Sequence, residues 1–295
     1  MSRALGWSLG INLAFVLVEF VAGFLANSLA LLSDAVHNLT DLPSMAVSLL
    51  ALHWQRKPAD PERTYGYQRS GVLAAFVNAL LLVGVALYLL GEAYERIRAP
   101  RPVLSQVVLG VAILGVGVNG GIAWALRRGR SDLNLRTIWI HNAGDAASSL
   151  GVLAGAVAMS LTGWYVIDPL LSLGIGAAIL WSAGGVIRET THILLEGTPR
   201  DLSVEQVARA MLAVPGVAEV HDVHIWSLAS NLHALSCHVR IRGEISTRES
   251  EGILEQLNRL LAREFRISHT TIQFEPLPRA EARAYLPAEV REKKL

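Results

Sequence analysis

Six apolar runs, each long enough to cross a bilayer, occupy the first two-thirds of this 295-residue chain. They lie at about 7–27, 30–54, 71–95, 103–126, 133–161 and 167–187. A spanning helix needs about 20 mostly apolar residues, because in hydrocarbon its backbone must satisfy its own hydrogen bonds. Polar or Pro/Gly punctuation separates most of the runs: KPADPERTYGYQR at 57–69, APRP at 99–102, RRGRSD at 127–132 and TGWYVIDP at 162–169. Only 17% of the residues are charged, against roughly 25% in a soluble domain, and the deficit falls before about residue 188. These features predict a polytopic membrane protein. A six-helix transmembrane domain covers 1–195, a small α+β domain 196–277, and a loosely held tail 278–295.

Orientation follows from Lys and Arg in the short loops. The loop after the second run holds Arg56, Lys57, Arg63 and Arg69, and the loop after the fourth holds Arg127, Arg128, Arg130 and Arg136. The first and fifth loops hold none, while the third, with Arg96, Arg98 and Arg101, breaks the pattern. The balance places both termini, and the α+β domain, in the cytoplasm, and the expected location is the cell's inner (plasma) membrane. Glu19 interrupts the first run and no small-residue cleavage site follows, so that run reads as a retained span rather than a signal peptide. A formal net charge of +1 advertises no nucleic-acid surface, and a single cysteine, Cys237, excludes an internal disulfide.

The C-terminal part reads as αββαβ. SVEQVARAML (203–212) has helical periodicity, VAEVHDVHIWSL (217–228) and LHALSCHVRI (232–241) read as strands joined through SN, residues 246–265 form an amphipathic helix, and TTIQFE (270–275) is a last strand.

Within the apolar runs one pattern occurs twice: HNLTD at 37–41 and HNAGD at 141–145. Helical residues four apart point the same way. His37 with Asp41, and His141 with Asp145, therefore make two ligand pairs whose four N/O donors suit tetrahedral Zn²⁺. Mn²⁺, Co²⁺ and Fe²⁺ accept such donors too. Ionisable residues at this depth carry an insertion cost of about 2.5–3.5 kcal/mol and mark function. Asp34 and Glu19 read as path residues or as hydrogen-bond partners behind the ligands. Asn38 and Asn142 point about 100° away from the histidines and read as structural, and Asp168, at a span end, as a cap. The small residues of AGDAASSLGVLAGAVA allow close helix approach.

These motifs resemble the cation diffusion facilitator family, the metal-cation/proton antiporters, and most closely its bacterial zinc-exporting branch. The resemblance rests on SLALLSDAVHNLTD (28–41), TYGYQRSGVLAAFVNALLL (64–82), HNAGDAASSLGVL (141–153), and VHDVHIWSL followed by HALSCHV. It implies six helices plus a metallochaperone-like (ferredoxin-like) cytoplasmic domain, acting as a homodimer. It implies transport-site roles for His37, Asp41, His141 and Asp145, and a charge lock between Arg69 and Glu196. By alignment, His221, His238 and Glu275 match positions that bind zinc between cytoplasmic domains, with Gln273 where some relatives have histidine. Strict strand alternation groups these residues differently: His221 with Val223 and Ile225, and His224 with Asp222 on a polar face, so His224 stands as a further candidate. His233 and His269 are candidates for a second ion, and Cys237 faces the core. The loop after the second run lacks the histidines some members carry there, and the one after the fourth is reduced to RRGRSD.

The expected function is export of Zn²⁺, with Cd²⁺ or Co²⁺ as further cargo, in exchange for protons carried by His37 and His141, with Zn²⁺ also a regulatory ligand of the cytoplasmic domain. The alternatives are a passive divalent-cation channel and a membrane enzyme of the HxxxD type. Zinc proteases would carry HExxH and di-iron desaturases several HxxxH boxes, and neither motif occurs.

Overall fold

The computed structural model describes residues 2–39, 59–127, 133–229, 232–243 and 246–276. These fall into two compact units, 1–58 with 70–190 and 59–69 with 191–295. The first unit is helical: α1 (Ser2–Ala26), α2 (Leu29–Leu39), α3 (Ser70–Arg98), α4 (Ser105–Leu126), α5 (Leu133–Thr162) and most of α6 (Ile167–Leu194). Among the described residues, α3 to α6 each contain a stretch long and apolar enough to span a membrane. The second expected span, 30–54, is described only to Leu39, so Asp41 lies outside the described residues.

Apolar residues cover these helices all round, and many large ones turn outward. Trp181, Leu161 and Phe24 are exposed, as lipid-facing residues are. Two buried clusters hold the interior. Phe15, Leu31, Val108, Val152 and Met159 join α1, α2, α4 and α5, while Leu29, Val36, Leu89 and Ile179 join α2, α3 and α6. The short helix α2 contributes to both. Close approach depends on small residues: a Cβ on Gly155 would collide with Leu171 Cδ1.

One end of this unit is held by polar contacts. Asn27 takes φ +54° and Ser28 N–H donates to Gly23 O at 2.9 Å, closing α1 in a left-handed turn. Arg96, buried on α3, donates to Asn27 O at 2.6 Å and to Glu92 Oε1 at 3.0 Å; Arg101 donates to the same Glu92 oxygen at 3.2 Å. Arg98 lies over the Tyr94 ring. All three arginines that break the loop-charge pattern are thus engaged in side-chain contacts at the ends of α1 and α3.

Asp168 does act as a cap, but of another helix. From the first turn of α6 its carboxylate accepts from Ser28 Oγ at 2.5 Å, Leu29 N at 2.6 Å and Ala30 N at 3.3 Å, the exposed donors that begin α2.

The second unit contains α7 (Val204–Leu212), β1 (Val217–Ala229), β2 (Leu232–Ile241), α8 (Thr247–Phe265) and β3 (Ile267–Pro276). The αββαβ order is as expected, with the last strand beginning three residues early because Arg266, at φ +55°, ends α8 and turns straight into β3. Ser246 and Glu249 start α8 with a reciprocal capping box. The sheet order is β1-β2-β3, the first pair antiparallel and the second parallel across α8. Val207 and Met211 of α7, with Leu257 and Leu261 of α8, pack on Leu235, Val239 and Ile267. Residues 59–69 belong to this unit: Asp60 accepts from Arg63 N and Tyr67 Oη, and Tyr65 meets the His269 ring edge-on at 5.1 Å.

The cap predicts a measurable weakness. Asp168→Ala should destabilise the membrane unit by about 1–3 kcal/mol, since it leaves buried N–H groups unsatisfied, and Asp168→Asn should cost less. Thermal unfolding in detergent checks both; an unchanged transition for the alanine variant would show that α2 does not depend on this carboxylate.

Candidate metal sites

His37 sits in the last turn of α2, and its Nε2 lies 3.7 Å from Asp145 Oδ1 on α5. The two histidine–aspartate motifs, about a hundred residues apart in sequence, thus meet across one helix pair. Both residues line a cavity of about 400 Å³, whose other walls include Gly144, Ser148, Gly174 and Ala178. Asp145 is buried and His37 half-buried, so the carboxylate lies deep and the imidazole reaches open space. His141 continues α5 one turn before Asp145; its side chain, like the whole of Asp41, lies outside the described residues.

Behind this pair stands a set of buried polar contacts. Ser148 Oγ donates to Asp34 Oδ1 at 2.6 Å, Asn38 Nδ2 donates to Glu19 Oε2 at 2.8 Å, and Ser33 meets Ser172 at 2.7 Å. Glu19 and Asp34 are each at most 2% exposed. Ser148 lay within HNAGDAASSLGVL but was not singled out from the sequence; its position three residues after Asp145, on the same face, is the signal that marks it.

In the second unit, His221, His238 and Glu275 converge. Glu275 Oε1 lies 2.8 Å from His238 Nδ1, and its Oε2 lies 3.2 Å from His221 Nε2. One ligand atom from each lies within 4.8 Å of the others. Strand alternation fails at this point for a local reason. Asp222 takes φ +51°, and the β1–β2 register slips between the His221–His238 and His224–Ser236 pairs. That bulge leaves Val220, Val223 and Ile225 against the core and turns His221 to the side of His238. His224 is not brought to the cluster; it is exposed and pairs with Asp222 Oδ1 at 3.1 Å.

Gln273 fills the remaining place beside Glu275, its Nε2 3.5 Å from Oε1. Burial pushes the Glu275 carboxyl up, but the His238 hydrogen bond and the charges of His221, His238 and Arg240 outweigh it and hold Glu275 below the ordinary carboxylate range. It is therefore anionic at neutral pH. His221 Nδ1 is buried without a hydrogen-bond partner. Cys237 is in the core, its thiol pushed up to about 12 by burial and then by Asp222, so it supplies no thiolate. His233 is buried beside Ser227 and His269 meets the Tyr65 ring edge-on; neither joins the cluster.

Arg69 Nη2 donates to Glu196 Oε1 at 3.2 Å, so the expected charge pair forms, just after α6. Glu196 takes the left-handed conformation there, at φ +59°.

Comparison with known proteins agrees along nearly the whole chain. Residues 7–195 match the model of the cation efflux transmembrane domain, and residues 199–277 that of the cation efflux protein cytoplasmic domain. The cation efflux system protein CzcD of Alcaligenes sp. is 39% identical over 96% of this chain and 89% of its own length. A cadmium, cobalt and zinc/H(+)-K(+) antiporter of Bacillus subtilis is 38% identical, covering 88% of this chain and 85% of its own. The zinc transporter ZitB of Escherichia coli is 36% identical over 94% and 88%.

The bulge offers a direct check on the second cluster. Asp222→Gly should keep His221 beside His238, because glycine takes positive φ freely. Asp222→Val should cost about 1–3 kcal/mol and separate the rings, since a β-branched residue is strained there. The ring resonances of His221 and His238, read by NMR, report the outcome; a valine variant with both unmoved would refute this origin of the cluster.

Proposed function

The chain belongs to the cation efflux family, and we propose that it exports Zn²⁺, with Cd²⁺ or Co²⁺ as further cargo, from the cytoplasm in exchange for protons. Membership makes it a transporter rather than an enzyme, which removes HxxxD-type transfer chemistry from consideration. The observation that carries the finer reading is the approach of His37 to Asp145 at one cavity. In this reading the cargo site is His37, Asp41, His141 and Asp145, four N/O donors suited to Zn²⁺. The names of the relatives, a zinc transporter and a cadmium, cobalt and zinc antiporter, support the same cargo.

Exchange follows from competition. Imidazole and carboxylate bind either a proton or the metal, so loading the metal releases protons. His37 and His141 are the proposed proton carriers, and Asp41 and Asp145 the anionic ligands. Alternating exposure of the cavity to the two sides, in a multi-pass inner-membrane protein with both termini cytoplasmic, then converts a proton gradient into metal export.

The second cluster is proposed to hold regulatory Zn²⁺. Its residues fit: two imidazoles and a carboxylate, anionic at neutral pH, with their donor atoms within 4.8 Å of one another. Homodimerisation through the cytoplasmic domain would let bound metal draw two such domains together, with the Arg69–Glu196 pair tying residues 59–69 to the start of that domain. Spin labels on paired cytoplasmic domains should report a zinc-dependent distance, and a distance indifferent to zinc would remove the regulatory role.

Purified protein in liposomes, loaded with a zinc dye, should move Zn²⁺ at a rate set by an imposed pH gradient. Flux indifferent to the gradient would instead identify a passive channel. Asp145→Ala or Asp41→Ala should abolish the flux; a variant at the wild-type rate would overturn the site assignment.

A further inference from the structure

Beyond its capped first turn, the helix carrying His37 makes side-chain hydrogen bonds to three neighbours. Ser33 meets Ser172 of α6, Asp34 accepts from Ser148 of α5, and Asn38 donates to Glu19 of α1. Positions 34 and 38 share one stripe of α2, and positions 33 and 37 the next. Glu19 faces both residues of the first stripe, Asp34 and Asn38.

The spacing matters as much as the bonds. Asp145 and Ser148 are three residues apart on α5, and their partners His37 and Asp34 are three apart on α2, in the opposite direction. These are two rungs of one ladder, so sliding α2 along α5 would break both. One residue of slip moves a helix about 1.5 Å, whereas metal–ligand distances tolerate only about 0.2 Å. Apolar packing of similar small residues does not define register that finely, but a buried hydrogen bond (Ser148 to Asp34) beside a close imidazole–carboxylate contact (His37 to Asp145) does. The bond from Asn38 to Glu19 sits one residue beyond His37 and fixes the rotation of the same turn.

Building on the transport reading above, we propose that Asn38 and Glu19 are positioning residues for the cargo site, with Asp34 and Ser148 as the second rung. Glu19 acts through its acceptor oxygen. Its role is to hold Asn38, and through it the face of α2 that presents His37 to Asp145. Glutamine offers the same acceptor without the charge.

The test uses the full-length chain in detergent, in a His221→Ala/His238→Ala background that silences the second cluster. Zinc affinity is read by competition with a chromophoric chelator, flux is read in liposomes, and folding is read by thermal unfolding. Glu19→Ala and Asn38→Ala should each weaken zinc binding about tenfold, the scale of one lost buried hydrogen bond. The double variant should be no more than about twofold worse than the poorer single one, because both remove the same bond. Glu19→Gln should bind within about twofold of the parent. Ser148→Ala should weaken binding as well, and it serves as the test if Asn38→Ala does not fold. A Glu19→Gln variant as weak as Glu19→Ala would overturn the proposal and make the carboxyl a proton carrier. Additive single effects, or single effects within twofold of the parent, would also overturn it. Zinc affinity is measured without flux, so a chain that binds zinc with this ranking yet moves none across a gradient refutes the transport reading alone.

Discussion

The contact on which the membrane unit turns is the Asp168 carboxylate at the start of α2. A helix begins with four backbone donors that lack intrahelical partners, and inside a membrane water does not answer them. Only Asn27 and Ser28 separate α1 from α2, so the chain has no room for a capping loop. Ser28 supplies part of the answer, since its hydroxyl accepts from Leu31 N at 3.2 Å while donating to Asp168. Asp168 supplies the rest from α6. Because the donors of α2 point along its axis, satisfying them sets the direction of that axis. Everything that follows on α2, including the face that carries His37, inherits that direction.

The remaining polar groups of α2 then divide the work with apolar packing. Leu31 joins the cluster formed with α1, α4 and α5, while Leu29 and Val36 join the one formed with α3 and α6. Those contacts hold the helix in place but discriminate weakly between neighbouring registers. Ser33, Asp34 and Asn38 discriminate sharply, because a buried polar group without its partner costs about 1–3 kcal/mol. Polar residues placed in an otherwise apolar bundle thus exchange some stability for a defined geometry around the ligands.

Much of this was legible in the sequence. The apolar runs located the helices, the alternation and turn residues located αββαβ, and the repeated HNxxD pattern pointed to His37 and Asp145. Other features escaped because they depend on a partner distant in sequence. Asp168 read as a cap, yet nothing at 167–170 indicates that the helix it caps begins at Leu29. Asn38 read as structural, because its direction on a helical wheel does not reveal that Glu19 waits there. At His221 period-two reasoning failed outright, since one left-handed residue, Asp222, breaks the alternation and turns His221 to the face opposite Val223 and Ile225. Aspartate is among the few residues that adopt that conformation at modest cost, and that was the only local hint.

The Arg69–Glu196 pair shows how magnitudes separate stability from linkage. Glu196 is 63% exposed and Arg69 about one-third, so their attraction is worth roughly 0.2–1 kcal/mol. The left-handed backbone of Glu196, on a residue that is not glycine, costs about 1 kcal/mol or more. On those terms the pair does not stabilise the fold, and glycine would close α6 more easily. What glutamate provides at this position is a carboxylate that fastens residues 59–69 to the end of α6. Those residues run directly into Ser70 at the head of α3, and Tyr65 among them also packs on His269 of β3. Within the second unit, residues 59–69 are therefore held at two points, an ion pair and a ring contact.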